Sequence, residues 1–219
     1  RGFDSQRRYP NEQLIAFMAQ FPKEGRDRIK VLELGCGSGA NIWYLVREGF
    51  AVYGIDNAPT GIEYCRKMLS EWEGALKGTI TPILEVDDMR KLPYDSNFFN
   101  VVVDVVSIEA LSYADHIPCY AEAYRVLKPG GKFFSYHLGE NSISYLHGGG
   151  KLIDWGTVDN VFDRTKPLHN NDTLCFLSGN DERQLLGGAG FKNVQVDKLA
   201  RTYNQQEFLI EYLVVRAEK

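Results

Sequence analysis

Short apolar stretches alternating with amphipathic helices predict a doubly wound α/β fold built on a parallel sheet. Two further observations support that class. Phe98 to Val106 is almost continuously apolar, as a strand covered on both faces must be, and a glycine-rich turn, Gly35 to Gly39, directly follows the first strand. In order, Asn11 to Gln20 reads as a short helix opened by Pro10-Asn11, with Leu14, Ile15 and Met18 on one face. Ile29 to Leu34 is a strand carrying one acid, Glu33, and Ala40 to Glu48 is a helix ended by Gly49. Ala51 to Ile55 is the second strand, stopping at Asp56-Asn57, and Pro59 to Glu73 is a helix with Ile62, Tyr64 or Cys65, Met68, Leu69 and Trp72 along one face. Thr79 to Val86 and Phe98 to Val106 are the third and fourth strands. Asp115 to Leu127 is helical, and Lys128-Pro129-Gly130-Gly131 turns the chain into a fifth strand, Lys132 to Leu138. From 139 to 178 no periodicity is evident, although the aromatic content argues against disorder. A helix from Asn180 to Ala189 and two strands, Lys192 to Leu199 and Glu207 to Arg216, complete the chain.

The 219 residues suit a single domain, 1–219, with 44% hydrophobic and 25% charged residues. Lys and Arg number 25 against 29 Asp and Glu, a net charge of −4, and no basic cluster is present. Nucleic-acid affinity rests on phosphate contacts, so a nucleic-acid partner is not expected. No apolar stretch approaches the roughly 20 residues that span a bilayer, and no secretory pattern opens the chain. The four cysteines, Cys36, Cys65, Cys119 and Cys175, are scattered without metal-ligand spacing. They read as reduced core thiols of a cytoplasmic protein, and no motif indicates a metal.

The turn Glu33-Leu34-Gly35-Cys36-Gly37-Ser38-Gly39 lets the backbone approach a ligand at a helix N-terminus. Dinucleotides and S-adenosylmethionine (SAM) both use such turns, and the GxGxG spacing followed by Ala40 does not separate them. The acids discriminate better. Asp56 at the end of the second strand suits a ribose diol in either case. Glu33 repels a pyrophosphate but attracts the ammonium and sulfonium of SAM. Asp88, after the third strand, suits an adenine amino group, with Met89 packing on the ring.

Val31 to Gly39, Gly54-Ile55-Asp56, Asp88 to Pro93, Phe98 to Asp104 and Arg125 to Gly131 together resemble the successive motifs of class I SAM-dependent methyltransferases. The resemblance runs over about 30 to 138, and the terminal strand pair extends it. Asn100 stands where the family often has Asp, and Asp104 where a small or neutral residue is commoner. The resemblance implies a seven-stranded, Rossmann-like sheet with its last strand antiparallel. It sets Gly35, Cys36, Gly37 and Gly39 along the methionine part of SAM, with Glu33 near the amino group. Asp56 falls on the ribose, Asn57 beside the adenine, Asp88 and Met89 at its edge and face, and Asp104 near the amino-acid end.

Methyl transfer from a sulfonium depends mainly on placing donor and acceptor in line. A hydroxyl acceptor also needs a base. His137 at the end of the fifth strand and Glu109 after the fourth are the candidates, ahead of His147 and His169; His116 reads as a surface residue. The 139–178 segment is expected to be a substrate lid, and 1–28, with Phe3, Arg7, Arg8 and Tyr9, an N-terminal helical lid. Tyr113, Tyr136, Tyr145, Trp155 and Phe176 are candidate walls for a flat acceptor. The Asn/Asp-Pro-Pro-Tyr/Phe motif of amino-methylating nucleic-acid enzymes is absent; Asp104-Val105-Val106-Ser107 stands in its place. The expected activity is methylation of a small molecule, O-methylation first, by a monomer or homodimer. A non-catalytic SAM-binding protein and an NAD-dependent oxidoreductase are the competing readings.

Overall fold

The computed structural model describes residues 7–72, 74, 79–169 and 172–219. Phe3 of the N-terminal segment, Glu73 at the expected end of the third helix, and Asn170 and Asn171 of the 139–178 segment lie outside the described residues. Seven strands form one sheet: β1 (Lys30–Leu34), β2 (Ala51–Asp56), β3 (Ile83–Val86), β4 (Phe99–Val105), β5 (Leu127–Leu138), β9 (Lys192–Tyr203) and β10 (Phe208–Glu218), in the order β3-β2-β1-β4-β5-β10-β9. The first five run parallel, and β10 lies antiparallel between β5 and β9. The order reverses between β1 and β4. Ligands bind such sheets in the crevice beyond the strand ends at that point.

Helices cover both faces: α1 (Glu12–Met18), α2 (Ala40–Arg47) and α3 (Pro59–Glu71) on one, α4 (Tyr113–Val126) and α6 (Gly179–Ala189) on the other. Alternation along the strands divides the core accordingly. Phe133 belongs to the core layer that holds Tyr120 and Leu186, while its neighbour Phe134 belongs to the opposite layer with Leu14, Met18 and Ile62. Side-chain caps fix the helix starts. Asn11 Oδ1 accepts from the amides of Gln13 and Leu14 at α1, and Ser178 and Asp181 form a reciprocal capping box at α6. Among the described residues no helix is long and apolar enough to cross a membrane.

Several boundaries differ from the sequence expectation. Residues 79–82 are not strand, so β3 has only four residues. α1 buries Phe17 instead of Ile15, because Phe17 stacks on Phe134 at 5.0 Å while Ile15 faces solvent. β5 already begins at Leu127, where Lys128 to Gly131 bulge out of register with β4. The 139–178 segment is regular. It holds α5 (Ile143–His147) and a small antiparallel sheet of β6 (Lys151–Asp154), β7 (Thr157–Asp159) and β8 (Thr173–Cys175). A satellite cluster of Val161, Leu174 and Phe176 seats this sheet on Leu138 of β5 and Ile210 of β10. Tyr113 N donates to Thr157 Oγ1 at 3.0 Å and Ala114 N to Asp154 Oδ2 at 2.9 Å, tying it to the start of α4.

Candidate active site

The crevice at the switch point is a cavity of about 290 Å³ walled by the turns that follow β1, β2 and β4. Glu33, Gly35, Cys36, Gly37 and Asp56 from the sequence reading all line it. Gly35, Gly37 and Gly39 take φ of +63°, +49° and +87°. A side chain on Gly35 would strike Ser107, whose Oγ donates to Gly35 O at 2.8 Å and joins the β1 and β4 turns. A side chain on Gly37 would meet open space. Gly39 serves packing, since a side chain there would meet Cys65 of α3. Cys36 contributes main chain, its amide donating to Ile55 O at 2.8 Å. Its thiol turns into the core toward Cys65, and that hydrogen bond together with burial pushes its pKa far up.

Asp56 holds the turns in place. Its Oδ2 accepts from Gly37 N at 2.8 Å and its Oδ1 from Ala58 N at 2.9 Å. Each oxygen keeps a free lone pair. Glu33 is fully buried. Its Oε1 accepts from Asn41 Nδ2 at 2.7 Å, and its Oε2 has no partner among the described residues. Burial pushes this carboxyl up to about 8 against the opposing Asn41 hydrogen bond, with Asp104 adding to the rise. A buried carboxyl oxygen without a donor is costly unless a cation supplies one.

Asp88 stands beside the crevice in a surface ion pair, its carboxylate 2.8–3.1 Å from the Arg90 guanidinium, which also reaches Asp115 at 3.0 Å. That guanidinium holds Asp88 below the usual carboxylate range. Met89 packs with its methyl against Gly35, and Asn57 is exposed after β2. Val106 also lines the cavity and takes φ +55°, an unusual conformation for a β-branched residue. Its amide donates to Tyr136 O at 2.8 Å.

Three expected site residues are enclosed by protein. Asp104 caps its own turn, accepting from Ser135 Oγ at 2.6 Å and from the amides of Ser107 and Ile108 at 3.1 and 2.9 Å. Tyr136 is only 2% exposed and stacks on Tyr212 at 4.6 Å. His137 is 0% exposed and faces away from the crevice, its Nε2 at ion-pair distance, 3.2 Å, from Glu182 Oε1. Period-two alternation turns its ring toward α4 and α6, so a substrate hydroxyl cannot reach it. Burial opposes its charging, but the Glu182 carboxylate outweighs this and raises its pKa. Tyr120 Oη completes the cluster, donating to Glu182 at 3.0–3.1 Å. His116, expected at the surface, is buried here too, its Nδ1 2.8 Å from Ser112 O. His147 is exposed and His169 lies 3.1 Å from Lys166 O; neither lines the crevice.

Glu109, in the turn after β4, is buried at the end of β5, where its Oε2 accepts from Leu138 N at 2.9 Å. Burial foremost pushes it up to about 8, with the positive charges of His137 and Arg7 opposing. One further residue escaped the sequence reading, and one that it named only within the N-terminal lid lines the cavity. Asn41 is a lone buried amide on the apolar α2, and Arg7 lines the cavity from the N-terminal segment. The only sequence signal for Asn41 was its polarity within Ala40-Asn41-Ile42-Trp43; Arg7 offered none beyond its place in a suspected lid. Tyr145 and Trp155 line a separate groove of about 400 Å³ on the small sheet, with Phe176, Glu140, Asp154 and Asp181. Tyr145 stacks on Phe176 at 5.0 Å, and Trp155 is 65% exposed with its Nε1 donating to Asp181 Oδ1 at 3.0 Å. Tyr113 is half-buried at the first turn of α4.

A glycine turn with Glu33 and Asp56 at the switch point of an open sheet marks an α/β protein of the ligand-binding, doubly wound class. Comparison with known proteins narrows the class. The family model "Methyltransferase domain" matches residues 31–131. The putative methyltransferase YqeM of Bacillus subtilis is 32% identical over 203 residues, covering 88% of this chain and 71% of that protein. Cycloartenol-C-24-methyltransferase 1 of Oryza sativa subsp. japonica is 36% identical over 110 residues, 49% of this chain, and the chain spans only 30% of that relative's length. A crystal structure of a SAM-dependent methyltransferase from Methanosarcina mazei superposes with a TM-score of 0.72 at 19% identity, covering 93% of this chain and 96% of that one; this likeness speaks to the fold. The chain belongs to the SAM-dependent methyltransferase family, whose cofactor is SAM. The crevice fits that group: the unpartnered Glu33 Oε2 suits an ammonium, and Asp56 retains acceptor capacity for a diol.

Proposed function

We propose that this protein methylates an oxygen of a small-molecule acceptor, with Glu109 removing the acceptor's proton. SAM supplies a methyl group activated on a sulfonium. In this reading Glu33 holds the amino group, Asp56 the ribose, and the Gly35–Gly39 turn the methionine chain. Met89 covers the adenine beside Asn57, and Asp88 accepts its amino group once Arg90 yields. The observation that carries the reading is Glu109, a buried carboxyl pushed up to about 8 at the end of β5, which feels the charge of Arg7 on the cavity wall. A base poised near the working pH is suited to taking a hydroxyl proton.

The groove on the small sheet is the proposed acceptor wall. Tyr145, Trp155 and Phe176 offer flat apolar faces, and Glu140, Asp154 and Asp181 disfavour an anionic acceptor. The cycloartenol relative is named for a carbon acceptor of small-molecule type, which supports that size class. The family model ends at residue 131, ahead of the small sheet. Four buried free cysteines agree with a cytoplasmic setting.

Screening neutral and cationic hydroxyl compounds for S-adenosylhomocysteine release tests the reading. With an acceptor in hand, the rate should climb with pH up to about 8. Glu109→Gln should lower kcat about 10²-fold or more and flatten that climb, while S-adenosylhomocysteine still binds. Unchanged turnover and pH profile in Glu109→Gln would remove Glu109 from this role. Cofactor binding without turnover on any acceptor would favour the non-catalytic reading.

A further inference from the structure

The groove on the small sheet carries charge of one sign. Glu140, Asp154 and Asp181 line it with the rings of Tyr145, Trp155 and Phe176, and its lining residues include no Lys, Arg or His. None of the three carboxylates has an ion-pair partner among the described residues. Neutral donors hold them in place instead. Ala114 N donates to Asp154 Oδ2 at 2.9 Å, and Asp181 accepts from Trp155 Nε1 at 3.0 Å and from Ser178 N at 2.9 Å. Glu140 is fixed through its main chain, its N donating to Leu177 O at 3.0 Å. These bonds orient the carboxylates without cancelling their charge. Their potential reaches the neighbouring phenols: burial raises the pKa of Tyr145, and Glu140 and Asp181 add to that rise. Apolar surface stays open beside the charge, since Leu152, Ile153 and Trp155 all line the groove and are all exposed.

Carboxylates attract a cation by Coulomb force, and ring faces attract it through their quadrupole. A neutral ligand gains only apolar contact there, and an anion is repelled by both. We infer that the groove takes a small organic ammonium, with its charge among Glu140, Asp154 and Asp181 and its apolar part on Tyr145, Trp155 and Phe176. The inference rests on the reading of this groove as the acceptor wall. β8, which leads into Phe176, lies against the turn Ile108–Ala110 that carries Glu109, so the groove and the proposed base share one packed unit. The bound nitrogen is not the atom methylated. A protonated or quaternary nitrogen has no lone pair with which to attack a sulfonium carbon, so the acceptor carries its hydroxyl elsewhere in the molecule. Recognition of a cation thus agrees with transfer to oxygen.

Calorimetric titration of the full chain, saturated with S-adenosylhomocysteine, tests this with three probes of one shape: tyramine, the neutral 4-propylphenol and the anionic 3-(4-hydroxyphenyl)propionate. Tyramine should bind about 10–100-fold more tightly than 4-propylphenol, the worth of one charged hydrogen-bonded contact, and the propionate should bind most weakly. Raising NaCl from about 50 to about 500 mM should shrink the tyramine advantage and leave 4-propylphenol unmoved. Glu140→Gln removes one charge at constant shape, and Trp155→Leu removes one ring. Each should lower tyramine affinity about 3–10-fold, with unchanged S-adenosylhomocysteine binding showing that the variant is folded. Absence of tyramine binding, equal affinity for tyramine and 4-propylphenol, or a preference that both variants retain overturns the inference. Turnover of a neutral hydroxyl compound would still uphold O-methylation in that event. Conversely, a tyramine preference that both variants weaken, with no hydroxyl compound turned over, upholds the cation site and removes the O-methylation reading.

Discussion

Glu33 and Glu182 are both fully buried carboxylates near the strand ends, yet their surroundings differ. Glu182 is enclosed by partners from the chain itself: the His137 ring at 3.2 Å and the Tyr120 hydroxyl at 3.0–3.1 Å from its oxygens. His137 holds it below its ordinary pKa against the burial that would raise it. Among the described residues Glu33 has one partner, Asn41, on one oxygen, and its pKa is pushed up to about 8. A buried charge that is internally paired belongs to the fold; one left half-paired beside a cavity is positioned for a ligand. The same contrast separates His137 from Glu109. Both sat at strand ends in the sequence; His137 is paired with Glu182, while Glu109 accepts only a main-chain amide, Leu138 N, among the described residues.

The sharpest way to break this comparison is at Glu182. Glu182→Ala strands a buried imidazole and a buried tyrosine hydroxyl, and breaking such a pair costs about 3–5 kcal/mol. The urea unfolding midpoint should fall accordingly, while the folded fraction binds S-adenosylhomocysteine as the wild type does. Loss of binding with unchanged stability would instead make this cluster part of the active site.

Glu33→Gln should do the reverse, with a smaller effect. The amide keeps an oxygen for Asn41 and removes a group whose folded pKa exceeds its unfolded value. Such an acid lowers stability progressively as pH rises from its unfolded pKa toward about 8, because the folded state retains the proton that the unfolded state has released. At pH 7.5 the variant should therefore be about 1–2 kcal/mol more stable without ligand. S-adenosylhomocysteine affinity should fall about tenfold or more, from loss of a charged contact. A destabilised Glu33→Gln would show that Glu33 works for the fold, as Glu182 does.

The difference between the two carboxylates also explains what could be read in advance. Glu33, Gly35, Gly37 and Asp56 are adjacent to the strand ends that position them, so local motif and local geometry coincide. The His137–Glu182 contact joins residues 45 positions apart in sequence, and nothing local announces it. His116 was misread because its helix buries the face that begins at its first turn. Asn41 matters through the Asn11–Asn41–Glu33 chain, which exists only once α1 docks beside α2. The small sheet escaped for a different reason. Its strands have three or four residues, too few to establish a period, and β6 exposes Leu152 and Ile153 where a strand pattern would alternate. The fold was legible where burial imposes periodicity, and obscure where short strands leave apolar residues in solvent.

The finest test follows protons. Without ligand at pH 7, Glu33 is mostly protonated because its pKa is about 8. Pairing with an ammonium requires the carboxylate, so cofactor binding at pH 7 must release close to one proton. Titrating S-adenosylhomocysteine at that pH in phosphate and in Tris, whose ionisation enthalpies differ, counts those protons from the difference in apparent heat. Affinity should rise by up to tenfold per pH unit below about 8 and level off above it. Glu109 and Asp104 are also raised, to about 8 and about 6, so proton release in the wild type alone does not identify the group. Glu33→Gln does: the release and the pH dependence of affinity should vanish together. Should both persist in that variant, the proton comes from Glu109, and the ammonium lies nearer the end of β5 than the glycine turn implies.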